Sequence, residues 1–139
     1  MDDAQREPNM ESRMESRMKP RIIQGGMGAG VSGWRLARAV SGLGQLGVVS
    51  GTALDVVLAR RLQNGDPEGH MRRALDHFPF PEAARRVLDH YFIPGGKPPT
   101  QAYKDVPMHS IRPPRNLSEL CVVANFVEVF LAREGHDGP

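Results

Sequence analysis

Residues 21–51 show two kinds of hydrophobic spacing. Short apolar runs at residues 21–24 and 46–50 predict strands, and the segment between them has apolar side chains at every third or fourth position, which predicts a helix. Ser32 is suited to cap the start of this helix, and Gly44 is suited to end it. A strand, a helix and a strand in this order predict a parallel, right-handed β-α-β unit.

The chain after residue 51 has helical spacing only. Thr52 can cap a helix that runs to Asn64, and Asp66 with Pro67 can open the next helix. The sequence RRALDHF at residues 72–78 returns as RRVLDHY at residues 85–91. We interpret the two copies as short amphipathic helices with Arg and Asp three residues apart, because the adjacent Asp and His of each copy point in different directions on a helix.

The C-terminal part predicts one long helix after an irregular connection. Residues 93–117 hold six of the twelve prolines and no periodicity, so this connection is expected to have nothing to pack on. The stretch from Ser118, as N-cap, to Glu134 is apolar nearly all round, which predicts a buried helix ended by Gly135. Two strands cannot cover this many helices, so we expect either that the chain is part of something larger or that it pairs with a second copy of itself.

Composition excludes several classes of function. The net charge of +2 is mild and the Arg pairs are dispersed among acidic residues, so a nucleic-acid partner is not expected. The longest apolar stretch is interrupted by Asn125 and Glu128, which argues against a membrane span. Cys121 is the single cysteine, so no internal disulfide forms. We expect a cytoplasmic protein with a polar, disordered lead-in over residues 1–20.

The loop after the first strand has four glycines within residues 25–30. Glycine is used where the backbone needs positive φ or where a ligand approaches the main chain, so this loop is the candidate binding site. One interpretation is a dinucleotide fingerprint through Gly28, Gly30 and Gly33. The first of these glycines comes late after the strand, and the second strand ends without the expected acidic residue, so this match is weak.

The sequence RIIQGGMGAGVSGWRLARAVSGLGQLGVVSGTALD resembles the opening of the FMN-dependent nitronate monooxygenases, formerly called 2-nitropropane dioxygenases. The resemblance extends through residues 20–139, and it implies the N-terminal β-α-β part of an FMN-binding TIM (β/α)₈ barrel, incomplete, with a helical and Pro-rich insertion at residues 65–117. It also implies a nitronate substrate, oxygen and FMN. The cofactor-binding residues implied at the ends of the first two strands are Gln24, Gly25, Gly26, Met27, Gly28, Ser50, Gly51 and Thr52.

The same resemblance includes the related FMN-dependent enoyl reductases, with an enoyl compound as substrate. It places the catalytic histidine and the phosphate-binding loops in later motifs, so no catalytic residue is assigned within residues 1–139, and His136 is expected to be structural. We therefore expect an N-terminal fragment that is inactive alone. The alternative is a non-catalytic, truncated or dimerising product, which self-associates through exposed apolar faces.

Overall fold

The computed structural model describes residues 19–139, which form a mixed α/β structure that is mostly helical. Nearly all of the predicted lead-in over residues 1–20 lies outside the described residues. The elements in chain order are β1 (Ile23–Gln24), α1 (Trp34–Gly42), β2 (Leu46–Gly47), α2 (Leu54–Gln63), α3 (His70–Leu75), α4 (Pro81–Tyr91) and α5 (Arg115–Arg133).

The predicted β-α-β unit is confirmed, because β1 and β2 pair in parallel with Ile23 opposite Leu46. Both strands are shorter than predicted, since glutamine side chains replace the main-chain ladder at the two ends of the pair. The Gln45 side-chain oxygen accepts the N–H groups of Arg21 at 3.0 Å and Ile22 at 2.8 Å. At the other end, the Gln24 side-chain oxygen accepts the N–H of Val48 at 3.3 Å.

Helix α1 crosses β2 at very short range. A Cβ added at Gly47 would lie 2.2 Å from the carbonyl oxygen of Ala37, and Ala37 itself is buried. The main chains of α1 and the sheet can therefore approach this closely only where β2 has no side chain.

Helix α5 is the central element and contacts all four other helices. The buried side of α5 consists of Leu117, Leu120, Val123, Ala124, Val127, Glu128, Leu131 and Ala132. The prediction of a helix here is confirmed, but the prediction that it is buried all round is wrong, because Val122 is 61% exposed and Val129 is 52% exposed. In residues 19–139, no helix combines the length and the hydrophobicity needed to cross a membrane.

The predictions of Ser32, Thr52 and Ser118 as N-caps are wrong, because each of these residues uses its hydroxyl or its backbone N–H in another hydrogen bond. Helix α1 begins after Gly33, and the Ser32 hydroxyl accepts the N–H of Met27 instead. Helix α2 begins after Ala53, whose φ of 53° is left-handed, and the Thr52 hydroxyl pairs with Ser50. Helix α5 begins three residues before Ser118, whose N–H donates to the carbonyl of Pro114.

The two repeat copies lie in short helices as predicted, but in different settings. The first copy begins within α3 and runs past its end, whereas the second lies within α4. Helix α3 begins at His70, later than predicted, because residues 66–69 form a turn in which the Asp66 carboxylate accepts the N–H groups of Met71 and Arg72 at 3.1 and 3.0 Å. The repeat therefore reflects two similar amphipathic segments, and their Asp–His pairs form no common site.

The Pro-rich connection packs on the C-terminal end of α2, which contradicts the expectation that it has nothing to pack on. The buried Gln63 side chain accepts the N–H of Lys104 at 2.6 Å, and its main-chain oxygen accepts the N–H of Lys97 at 2.8 Å. Further along, His109 Nε2 lies 2.8 Å from the buried Asp55 carboxylate. Hydrogen bonds to α2 at Gln63 and Asp55 thus hold a segment that has no helix or strand of its own.

Replacing Gly47 by Ala is expected to destabilise the protein by roughly 2 kcal/mol, because the new methyl group overlaps the α1 backbone. Chemical denaturation measures this loss. Gly42→Ala is the matched control, since a Cβ there meets no atom within 4 Å. Equal stability of the two variants would contradict the close approach of α1 to β2.

The Arg73–Glu134 pair predicts an acid dependence of stability. Two hydrogen bonds of 2.8 Å from Arg73 hold the pKa of the Glu134 carboxyl below its ordinary value. Because the pKa of Glu134 is lower in the folded state, the pair stabilises the protein at pH values above the unfolded-state pKa of about 4.3. This stabilisation is lost as the pH falls through the folded-state pKa.

We therefore expect Glu134→Gln to lower the urea midpoint at neutral pH and to flatten its decline in acid. Asp105→Asn, on the exposed connection, is the control and should keep the wild-type profile. An unchanged acid profile in Glu134→Gln would show that this pair does not contribute.

Candidate functional site

The fold brings the two predicted groups of binding residues together at one edge of the sheet. Gln24 ends β1 and Gly25–Gly28 follow it, Ser50–Thr52 come after β2, and parallel strands end on the same side. A Cβ added at Gly26 would lie 3.2 Å from Ser50 Cα, so the two backbones are in contact. We call residues 25–30 the glycine loop, and this edge of the sheet the sheet mouth.

Ser32 organises the glycine loop. Its buried hydroxyl accepts the Met27 N–H at 2.9 Å and the Gln24 side-chain N–H at 3.2 Å, and it lies 3.4 Å from the Gly25 carbonyl oxygen, to which it donates. The main-chain oxygen of Ser32 accepts the N–H of Ser50 at 2.9 Å. This residue therefore fixes the loop shape and its distance from the end of β2.

The exposed part of the glycine loop presents backbone rather than side chains. Gly25, Gly26 and Gly28 are exposed, as is 61% of Met27. Among residues 19–139, no acceptor lies within hydrogen-bond reach of the amide N–H groups of Gly26 and Gly28. Gly28 has a φ of 58°, in the left-handed region that favours glycine. The loop thus offers unpaired donors beside an apolar thioether.

The predicted binding residues differ in whether their polar groups are available to a ligand. The Gln24 amide is occupied by Ser32 and Val48, so it holds the loop to β2 and is not available to a ligand. Ser50 is buried, and its hydroxyl lies 3.2 Å from that of Thr52. Gly51 and Thr52 are exposed beside the glycine loop.

An ion pair between a buried glutamate and a partly exposed arginine lies behind the glycine loop. Glu128 of α5 is 3% exposed, accepts the N–H of Trp34 at 2.8 Å and forms an ion pair with Arg61 of α2. Glu128 is not among the site residues predicted from the sequence, although it is an acidic residue within an apolar run. That isolated acid is the signal by which the pair could have been found, since a buried carboxylate needs a partner.

Glu128 also argues against the dinucleotide interpretation. In a Rossmann fold the pyrophosphate lies at the N-terminus of the helix after the glycine loop. Here a protein carboxylate already bonds the first N–H of α1, and Gly33 lies against it. A phosphate at the same place would meet a buried negative charge.

The histidines considered from the sequence have structural partners. His136 Nε2 lies 2.7 Å from the carbonyl of Ala132, and its Nδ1 accepts the N–H of Gly138 at 3.1 Å, so both ring nitrogens are used at the end of α5. His77 stacks on Phe130 with ring centroids 4.7 Å apart. Residues 19–139 hold no group of three or more potential metal ligands.

Comparisons with known proteins add no family to this description. No family model, curated protein or solved structure matches the chain.

Removing the Glu128 carboxylate is expected to destabilise the protein strongly. Glu128→Ala leaves Arg61 and the Trp34 N–H without their partner, at a cost of roughly 3 kcal/mol. Glu128→Gln keeps an acceptor for Trp34 and should cost less. Urea denaturation with both variants measures the difference, and an alanine variant as stable as wild type would contradict the role of this pair.

Proposed function

We propose that residues 21–139 form the first part of an FMN-binding barrel in an oxidoreductase of the nitronate monooxygenase type. The observation that carries the proposal is the sheet mouth, where the glycine loop and Ser50–Thr52 meet at the carboxyl ends of two parallel strands. Barrel enzymes place their active sites at this end of the strands. The resemblance of residues 20–55 to these flavoenzymes supports the same assignment.

The free groups at the sheet mouth fit the edge of a flavin. The isoalloxazine ring is flat and has oxygen and nitrogen acceptors along its edge, and the unpaired N–H groups of Gly26 and Gly28 can donate to such atoms. A Cβ at Gly25 would meet no atom within 4 Å, so the loop leaves space for a ligand to approach. Met27 would provide an apolar surface beside the ring.

The residues present would bind and orient the cofactor. FMN, when bound, supplies the redox chemistry between a nitronate and oxygen. Ser32 keeps the Met27 N–H and the Gly25 carbonyl engaged within the loop, so the loop enters binding already ordered. Preorganised donors of this kind lower the entropy cost of binding.

Exposed apolar side chains near the sheet support a larger barrel. Ile23 of β1, Ile22 just before it and Val31 after the glycine loop are each 63–65% exposed, whereas strand residues of a closed barrel are covered. In the proposed barrel, further strands would cover them. The same exposure favours the alternative function, a non-catalytic protein that self-associates.

We expect FMN to shift the backbone amide resonances of Gly26, Gly28 and residues 50–52 in a saturable manner. Riboflavin should shift the same resonances, and AMP, which lacks the flavin ring, should not. Gly26→Val should abolish the shifts, because its side chain presses on the Ser50 backbone. Gly42→Val is the matched control, and circular dichroism checks that both variants fold. Shifts that lie elsewhere, or no shifts at millimolar FMN, would contradict the proposal.

A further inference from the structure

Helix α5 has an outward-facing stripe that begins and ends with charged residues. Successive members are four and three positions apart, the spacing of a helix that packs lengthwise on another helix. The stripe consists of Arg115, Glu119, Val122, Phe126, Val129 and Arg133. None of these six residues is among the buried residues of α5, and its two valines are more than half exposed.

Aromatic rings extend this stripe on one side. Phe126 contacts Phe78 at 5.0 Å and Phe130 at 5.7 Å between ring centroids. Phe80 lies 5.9 Å from Phe78 and is 68% exposed. The two valines of the stripe and these rings form an apolar face beside α5, and we call this face together with the charged residues of the stripe the α5 face.

The α5 face is complementary to itself in the order of its charged and apolar residues along the helix. Glu119 lies seven residues before Phe126, and Arg133 lies seven residues after it. Val122 and Phe130 are likewise four residues away on either side. Two antiparallel α5 helices that cross at Phe126 therefore bring Glu119 of each copy to Arg133 of the other, and Val122 to Phe130.

The charges at the two ends can take part in such a pairing. Within residues 19–139 Arg133 forms no ion pair. Glu119 binds Arg86 through both oxygens at 2.8 and 3.0 Å. A carboxylate has about four acceptor sites, so it can accept a further guanidinium.

We propose that the α5 face is an isologous interface with a second copy of this chain, formed by antiparallel α5 helices that cross at Phe126. This inference is independent of the proposed cofactor. An interface of this kind closes after two copies, so the assembly is a dimer. A single helix pair buries less than the roughly 1,200–2,000 Å² of stable interfaces, so we expect a weak dimer that dissociates in the micromolar range.

Sedimentation velocity over a range of concentrations tests the dimer. We expect Val122→Asp and Val129→Asp each to weaken association at least about tenfold, because each places two unpaired charges at an apolar contact. Ile111→Asp is the matched control, since Ile111 is fully exposed on the Pro-rich connection, away from α5. Denaturation midpoints establish that each variant folds.

Distances between spin labels test the direction of the helices. In a Cys121→Ala background, labels at Ser118→Cys lie eight residues from the proposed crossing in each copy. The antiparallel pair then separates them by about 25 Å, whereas a parallel pair would leave them about 10 Å apart. A monomer at all concentrations, an assembly larger than two, association that is insensitive to both aspartates, or the short label distance would each overturn the proposal.

Discussion

The buried carboxylate of Glu128 holds together parts of the chain that are far apart in sequence. It lies on α5, binds Arg61 of α2 and accepts the first N–H of α1, so one side chain joins three helices. A buried charge is tolerated only when it is paired and hydrogen-bonded, and here both conditions are met across 67 and 94 residues of sequence. The start of α1, and with it the end of the glycine loop, therefore depends on where α5 lies.

The hydrogen bond from Trp34 to Glu128 determines which hydrogen-bond donors near the glycine loop are available to a ligand. The N-terminus of α1 is bonded to a carboxylate, which leaves the loop backbone as the donor set that faces outward. Ser32 and Gln24 use their own polar groups to shape the loop and to attach it to β2. A ligand with acceptor atoms along a flat edge suits such donors, whereas a phosphate at the helix terminus does not.

The exposed apolar residues near β1 and the α5 face differ in the kind of partner that each suits. The surface near β1 lies at the open edge of a two-stranded sheet, where backbone groups are available to pair with a further strand. The α5 face is bounded by charges placed symmetrically about Phe126, which suits a second copy of the same helix. The two surfaces have no residue in common.

The sequence by itself determined the local elements, since hydrophobic spacing and the glycines that end helices act over a few residues. It predicted the parallel β-α-β unit, the end of α1 just before Gly44, the end of α2 near Asn64, and the helical state of α5. Tertiary structure decided the helix starts, because Ser32 and Thr52 have hydroxyl partners outside their predicted helices. It also decided the order of the Pro-rich connection through Gln63, and the pairing of Glu128 with Arg61. Such contacts join residues that are distant in sequence, so no local pattern specifies them. The adjacency of Gly26 and Ser50 follows from parallel pairing, but which of their backbone and hydroxyl groups remain available to a ligand follows only from packing.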